Sequence, residues 1–386
     1  MSLRVVVVGA GPAGVRAAQA LVEAGLRPIL IDEGRRDGGQ IYRRQPEGFK
    51  RSHAVLYGSE AAKAQALHSD FDALRTQIDY RTETLAWNVT SGQLHTVHAT
   101  GGATATLDHD ALIVCAGATD RLMPVPGWNQ AGCYSLGAAQ IALKSQACAI
   151  GARVVFIGSG PLLYLVAAQY VKAGARVEAV LDTSPAVPGW AALRGLLHRP
   201  RLLLRGLALV ASLRRAGVKV LNAVVPVRID GSPEGGVSGV VVRDARGVEH
   251  AIACDAVGLG WHLRAETQLA DLARCEFAFE PLSRQWLPRI DACGRSSVPG
   301  VYLAGDGARI LGADGAEAAG RLAALAALHD SNHERGRALF AAEQPGLQRT
   351  LATMNGFREG LAQAFPWPHA QAAALPTMRW CAAAKP

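Results

Sequence analysis

Arg4–Glu33 reads RVVVVGAGPAGVRAAQALVEAGLRPILIDE, and Arg153–Asp182 reads RVVFIGSGPLLYLVAAQYVKAGARVEAVLD. Each segment predicts a buried strand, a glycine turn, a helix, a glycine that ends the helix, and a second strand. Gly25 and Gly174 hold matching helix-ending positions, where the backbone must turn left-handed. The strand runs are unbroken Val, Ile and Leu, the pattern of parallel strands covered on both faces. A repeat of this kind predicts two Rossmann-type domains in an α/β chain, the second inserted into the first. The connector RLMPVPGW from Arg121 is rich in Pro and Gly and opens the second domain. The expected division gives residues 1–120 and 289–386 to the first domain, with a tail from about residue 339, and residues 121–288 to the second.

The first repeat is complete as a dinucleotide motif. Gly9 permits the turn, Gly11 lets a pyrophosphate approach the backbone, and Gly14 lets the helix pack on the strand. Pro12 and Ala13 complete the loop, and the helix N-terminus favours phosphate charge. Asp32 and Glu33 end the second strand, and either can bond the adenosine ribose. Spacing from Gly9 favours Asp32, whereas the repeat pairs Glu33 with Asp182. Gly38-Gly39-Gln40 follows in one loop and sets the site apart from a plain NAD fold, so Gly39 and Gln40 are expected to lie along FAD. Leu112–Ala118 resembles the second-strand ATG motif of two-dinucleotide-domain flavoproteins, with Ala116 in place of the usual Thr, and this likeness implies that Ala116 and Gly117 lie at the cofactor. Val298–Gly307, VPGVYLAGDG, ends a strand in Gly305-Asp306, whose carboxylate can accept from a ribityl hydroxyl. Gly312 and Ala313 then open a helix that can face the flavin ring. FAD is the cofactor these motifs predict.

The second repeat lacks the third glycine: Gly158-Ser-Gly160-Pro-Leu-Leu163 puts leucine where helix and strand should touch. The site is expected to grip NAD(P) poorly, although Asp182 leaves room for residual nucleotide binding. No C-x-x-C dithiol and no nucleophile–His–Asp set is present, so no catalytic residue is assigned. His53, His198 and His262 stand alone in sequence. No carboxylate or histidine cluster accompanies Asp306 and Asp314, so no metal site is expected.

The 386 residues are 49% hydrophobic and 19% charged, enough apolar content for large cores and unlike a disordered chain. A net charge of +8 allows an acidic partner or an anionic membrane face, while few aromatics and no interleaved Lys/Arg run argue against nucleic acid. Seven scattered cysteines, no signal peptide and no spanning stretch predict a cytoplasmic chain with reduced thiols, allowing peripheral contact at the inner membrane face. Arginines at 194, 199, 201, 205, 214 and 215 interleave with leucines, and Pro200 divides them into two helices.

The Gly9, Gly38–Gly58, Gly158 and Val298–Ala323 stretches together resemble the FAD-binding alpha-type subunits of heteromeric amino-acid and opine dehydrogenases. That family includes the flavoprotein subunits of D-hydroxyproline dehydrogenase, octopine and nopaline oxidase, hydrogen cyanide synthase and dye-linked L-proline dehydrogenase. The resemblance covers about Met1–Ala327 and implies a pyridine nucleotide-disulfide oxidoreductase-like fold. It implies an electron-transfer subunit whose partner, a glycine/sarcosine-oxidase-like flavoprotein, oxidises the substrate C–N bond. A small iron–sulfur subunit is implied as a second partner, and an additional FMN at a subunit interface is allowed. Extended members continue into a cysteine-rich cluster domain, whereas this sequence reaches Trp380-Cys381 with a single cysteine. Iron–sulfur is therefore expected only on a partner chain. D-hydroxyproline is the preferred substrate. The competing readings are a stand-alone NAD(P)H-dependent flavin reductase feeding a ferredoxin, and a non-catalytic nucleotide-holding scaffold.

Overall fold

The computed structural model describes residues 3–48 and 51–374. The chain forms two compact units, residues 1–119 with 264–358 and residues 120–263 with 359–386. In the first unit a parallel five-stranded sheet runs in the order Val301–Leu303, Ala111–Val114, Val5–Val8, Ile29–Ile31, Asp79–Arg81. Val8 pairs with Ile31 on one side and Val114 on the other, so the Gly9 turn, Asp32 and the Gly117 turn leave the sheet at one edge. That edge is the carboxyl end of the strands, where parallel sheets bind ligands.

The helix Pro12–Glu23 starts with proline in its first turn, where the missing N–H costs nothing. It buries Ala13, Val15, Ala17, Ala18 and Leu21. Against it lies the helix Gly312–Asp330, at a spacing set by small side chains: a Cβ on Gly320 would come 1.9 Å from the Ala13 carbonyl oxygen. A second core lies on the sheet's other face and joins Val6, Val8 and Leu112 to Leu269, Ala270 and Cys275. The three-stranded antiparallel layer Thr84–Thr90, Gln93–His98, Thr104–Asp108 contributes Val89, Leu94 and Leu107 to the same core.

The second unit repeats the plan with the parallel order Lys219–Leu221, Arg176–Asp182, Arg153–Ser159, Ala256–Trp261, Cys133–Ser135. Gly25 and Gly174 take φ of 93° and 84°, the helix-ending geometry expected of them. Pro200 separates the helices Trp190–Leu196 and Pro200–Arg215.

The unit boundaries differ from the division read from the sequence. Residues 264–288 belong to the first unit rather than the second, because Leu269, Ala270 and Cys275 fill the core under Val6 and Val8. The tail divides within the helix Glu334–Ala364: Leu339, Phe340, Leu347 and Leu351 pack on the first core, while Trp367 and Ala372 pack against Val155, Leu181 and Trp261 of the second. FPWP at Phe365–Pro368 is thus part of the second unit. Trp380 and Cys381 lie outside the described residues. Among those described, six cysteines are free, no helix is long and apolar enough to cross a membrane, and no metal-binding cluster exists.

Candidate functional site

The first unit gathers the predicted residues at one sheet edge. Gly9 has φ of 97°, and a Cβ there would meet the Cys115 carbonyl oxygen at 2.4 Å. A Cβ on Gly14 would lie 1.7 Å from the Gly9 oxygen. Both glycines are therefore required by the protein's own packing. Gly11 is different, because a Cβ there meets nothing nearer than the Gly39 Cα at 3.7 Å. The protein leaves that space open in front of the helix N-terminus, where Pro12 and Ala13 begin the first turn.

Asp32 is the hub of the turn. Its Oδ2 accepts from the Ala10 amide at 2.5 Å and its Oδ1 from the Gly34 amide at 2.7 Å. Burial raises its pKa, and these two backbone donors oppose the rise. Glu33 is exposed. Asp32 thus shapes the loop, while Glu33 stands free of the turn; both remain at the strand end where a ribose would lie.

The Gly38-Gly39-Gln40 loop is tied to the same turn. The Gly38 amide donates to the Ala10 oxygen at 2.9 Å, and Gly39, with φ of 59°, sits so close that its Cβ would be 2.9 Å from the Gly11 Cα. Arg43 donates to Gln40 Oε1 at 2.6 Å. Beneath the loop lies a cluster that the sequence reading missed. His68 Nε2 bonds the Tyr42 oxygen at 2.7 Å, His53 Nε2 lies 3.3 Å from His68 Nδ1, and Tyr57 packs on both imidazoles. His53 therefore belongs to a pair, and its partner lies fifteen residues on, beyond the reach of local pattern reading.

On the other side, the Gly305 and Ala116 turns meet. Gly117 has φ of 76°, and a Cβ on Gly307 would come 3.2 Å from the Gly117 nitrogen and oxygen. Asp306 Oδ1 accepts from the Leu311 and Gly312 amides at 2.8 and 3.1 Å, which fixes the start of the helix bearing Gly312 and Ala313. Burial raises the Asp306 pKa against these two bonds. Oδ2 carries no bond among the described residues. The next carboxylate, Asp314, pairs with Lys63 at 2.5 Å.

These residues fit a bound dinucleotide. Gly11 leaves a cradle a Cβ would fill, Asp306 keeps one acceptor, and the buried Nε of Arg43 has no hydrogen-bond partner. When bound there, FAD supplies the capacity to take up and release electrons. The protein's own contribution is a rigid cradle of amides, one acceptor at Asp306, and loops held in left-handed geometry by glycines.

Asp37, at the foot of the loop, carries a testable electrostatic load. It is 4% exposed, its Oδ2 has no partner, and Arg44 Nε lies 2.8 Å from Oδ1 as an ion pair. Burial outweighs Arg44 and pushes the carboxyl up to about 6. A folded pKa above the unfolded value favours the protonated form in the folded state. That stabilisation is complete below the unfolded pKa of 3.8 and is lost as pH rises through about 6. Asp37→Asn should therefore gain on the native protein as pH rises, by up to about 3 kcal/mol between pH ~4 and pH ~8. Thermal melts across that range check this, and parallel curves for the two proteins would refute it.

The second glycine turn keeps its backbone but is faced by protein. Gly158 approaches Gly260 so closely that a Cβ would lie 1.7 Å from its oxygen, and Leu163 is fully buried in the core with Phe156 and Val180. At Gly160, the approach point for a pyrophosphate, a Cβ would meet His262 Nδ1 at 3.1 Å. His262 Nε2–H donates to the Phe365 oxygen at 2.5 Å, and the Phe365 ring packs on His262 and Tyr164. Arg121 lies 3.7 Å over the Trp367 ring.

Asp182, which in the sequence leaves room for residual nucleotide binding, already has its partners within the protein. It is fully buried, accepting from Tyr164 Oη and the Ser184 amide at 2.7 Å each. Tyr164 in turn accepts from Asn222 Nδ2 at 3.0 Å. The carboxylate has become a structural acceptor. Tyr164 follows Leu163 in the sequence, so the signal was present, but a tyrosine inside a helix does not announce its partner.

A family model described as pyridine nucleotide-disulphide oxidoreductase matches residues 3–323. The chain is 38% identical to the A subunit of opine oxidase from Agrobacterium tumefaciens (strain Ach5), over 84% of this chain and 65% of that protein. It is 31% identical to hydrogen cyanide synthase subunit HcnB of Pseudomonas protegens, over 93% of this chain and 77% of the relative. The chain thus spans just under two thirds of the opine oxidase polypeptide. Among solved structures, T. acidophilum thioredoxin reductase superposes with a TM-score of 0.60 at 20% identity, covering 85% of this chain and 98% of that one, a likeness of fold.

Proposed function

Because the chain belongs to the pyridine nucleotide-disulphide oxidoreductase family, we propose that it is an FAD-binding electron-transfer subunit of a heteromeric dehydrogenase or oxidase. The family is one of oxidoreductases with the two-dinucleotide-domain flavoprotein fold. The observation that carries the reading is the contrast between the two glycine turns. The first keeps an open cradle at Gly11 and a free acceptor at Asp306. The second presents His262 and Phe365 where a nicotinamide dinucleotide would lie, and its acid is consumed by Tyr164. A flavin held this way exchanges electrons with another redox centre rather than with NAD(P)H. Among the described residues the six cysteines are free thiols, and the sequence has no C-x-x-C motif.

The names of the relatives point in the same direction, since both are subunits. On this reading a partner flavoprotein of the glycine/sarcosine-oxidase type removes hydride from a CH–NH donor, and this chain passes the electrons on. D-hydroxyproline is the preferred donor, with opines or glycine as the alternatives. A small iron–sulfur subunit is the proposed onward acceptor, and an FMN at the subunit interface is a further element of the same proposal. Within the chain, Gly9, Gly11, Pro12, Ala13, Gly14, Gly39 and Gln40 would hold the pyrophosphate and adjoining ribose. Asp32 and Glu33 would serve the adenosine end, and Ala116, Gly117, Gly305, Asp306, Gly312 and Ala313 the ribityl and ring end.

Purification of the chain from its native source, followed by identification of what travels with it, tests the reading. The expected result is bound FAD and at least one further flavoprotein polypeptide. Dye reduction by D-hydroxyproline should require that second polypeptide. Dye reduction by the isolated chain with an amino or imino acid would show that it is a complete dehydrogenase and not an electron-transfer component.

A further inference from the structure

Residues 183–218 carry six arginines and no Asp or Glu, and their only other polar side chains are Thr183, Ser184, His198 and Ser212. The segment contains the helices Trp190–Leu196 and Pro200–Arg215 of the second unit. Its large apolar side chains are unusually exposed: Val187 80%, Trp190 81%, Leu197 55%, Leu204 65% and Leu207 59%. Scattered apolar residues on a surface need no explanation, but five within twenty-one residues, set among arginines, do.

The exposure does not come from a loose segment. Ala192 and Leu196 are buried, and a Cβ on Gly360 would lie 2.4 Å from the Leu196 nitrogen, so the first helix is clamped against backbone. The second helix buries Leu213 and packs Val210 on the core of Leu163 and Tyr164. At 3.6 residues per turn, the opposite side of that helix brings together Arg201, Leu204, Arg205, Leu207, Ala208 and Arg215. All six are exposed. Leucine and arginine therefore share the outward face, instead of separating into a buried apolar side and a solvated polar one.

We propose that this face, centred on Trp190, Leu204, Leu207 and the arginines around them, docks the chain peripherally on an anionic phospholipid surface. The chemistry is complementary on both counts. Tryptophan and leucine enter the headgroup–acyl boundary, while arginines extend from the same helix face to lipid phosphates, their stems lying along the apolar layer. Each cation near such a surface is attracted to it, and the effect is screened by salt. A protein partner is the poorer match, because the face offers cations and aliphatic carbon and almost no hydrogen-bond acceptors of its own. No described helix spans a membrane, so the contact is interfacial. The inference stands apart from the flavin reading, since the first glycine turn belongs to the other unit.

Sedimentation of the flavin-loaded full chain with phosphatidylcholine vesicles, with and without phosphatidylglycerol, tests this. Binding is expected only to the anionic vesicles and should weaken steeply with added salt. Trp190→Ser/Leu204→Ser/Leu207→Ser should lose about tenfold or more in vesicle affinity. These side chains are exposed, so flavin absorbance and melting temperature should hold, and Arg201→Gln/Arg205→Gln gives a second variant if they do not. Equal binding to both vesicle types, or no binding, would overturn the proposal. So would a self-association in light scattering that the serine variant abolishes without any vesicle effect, since it would make the face a protein interface.

Discussion

Gly11→Val is expected to yield a folded chain that does not retain FAD. The expectation rests on the difference between neighbouring glycines. At Gly14, any side chain collides with the Gly9 oxygen at 1.7 Å, so even alanine should disrupt the packing of helix on strand. At Gly11, the nearest atom to a Cβ is the Gly39 Cα at 3.7 Å, which is ordinary contact. The protein accommodates a Cβ there; a pyrophosphate reaching for the helix N-terminal amides does not. Losing two charge-assisted hydrogen bonds of about 1.5–3 kcal/mol each raises Kd by roughly two to four orders of magnitude. Circular dichroism should match the native chain while the flavin absorbance band disappears. Stoichiometric FAD in the valine variant would place the cofactor elsewhere. Gly14→Ala serves as the contrast, because it should lose fold and flavin together.

That contrast also marks how far the sequence alone could reach. The repeat of strand, glycine turn and helix was legible because parallel strands and glycine turns have strong local signatures. The parallel pairing of the strands in each repeat and the positive φ of Gly25 and Gly174 followed from it, and the helix break followed from Pro200 itself. Side-chain destinations were less legible. Spacing favoured Asp32 and the repeat register favoured Glu33; only the folded turn shows Asp32 bonded to Ala10 and Gly34 and Glu33 exposed. Asp182 looked like a nucleotide acid until Tyr164 was seen to donate to it. The His53–His68 pair and the placement of Phe365 beside His262 depend on contacts of long sequence separation, which no periodicity encodes. The boundary after residue 263 was missed for a related reason. Leu269, Ala270 and Cys275 carry no motif, yet they complete the core beneath the first sheet.

NADH and NADPH are expected to leave the flavin oxidised on the time scale of turnover, with no saturable binding below about 1 mM, a free energy of only about −4 kcal/mol. Two independent obstacles produce this. The first is steric: His262 and the Phe365 backbone oxygen are joined by a 2.5 Å bond at the glycine where a pyrophosphate would approach. Burial also lowers the His262 pKa, so near neutral pH the ring offers no positive charge to an incoming phosphate. The second is chemical: the Asp182 carboxylate that would accept from a ribose is fully buried and bonded to Tyr164 and Ser184. Removing the cover with His262→Ala/Phe365→Ala therefore restores space without the acceptor, and bleaching by NADH should remain slow in that variant as well. Anaerobic stopped-flow mixing separates the cases. Rapid bleaching of the native protein would make the chain a nicotinamide-dependent flavin reductase. Rapid bleaching of the double variant alone would show that the cover, and not the buried acid, is what excludes the nucleotide. Slow bleaching in both, with fast reduction once the partner polypeptide and its donor are added, places the electron entry at a contact between subunits.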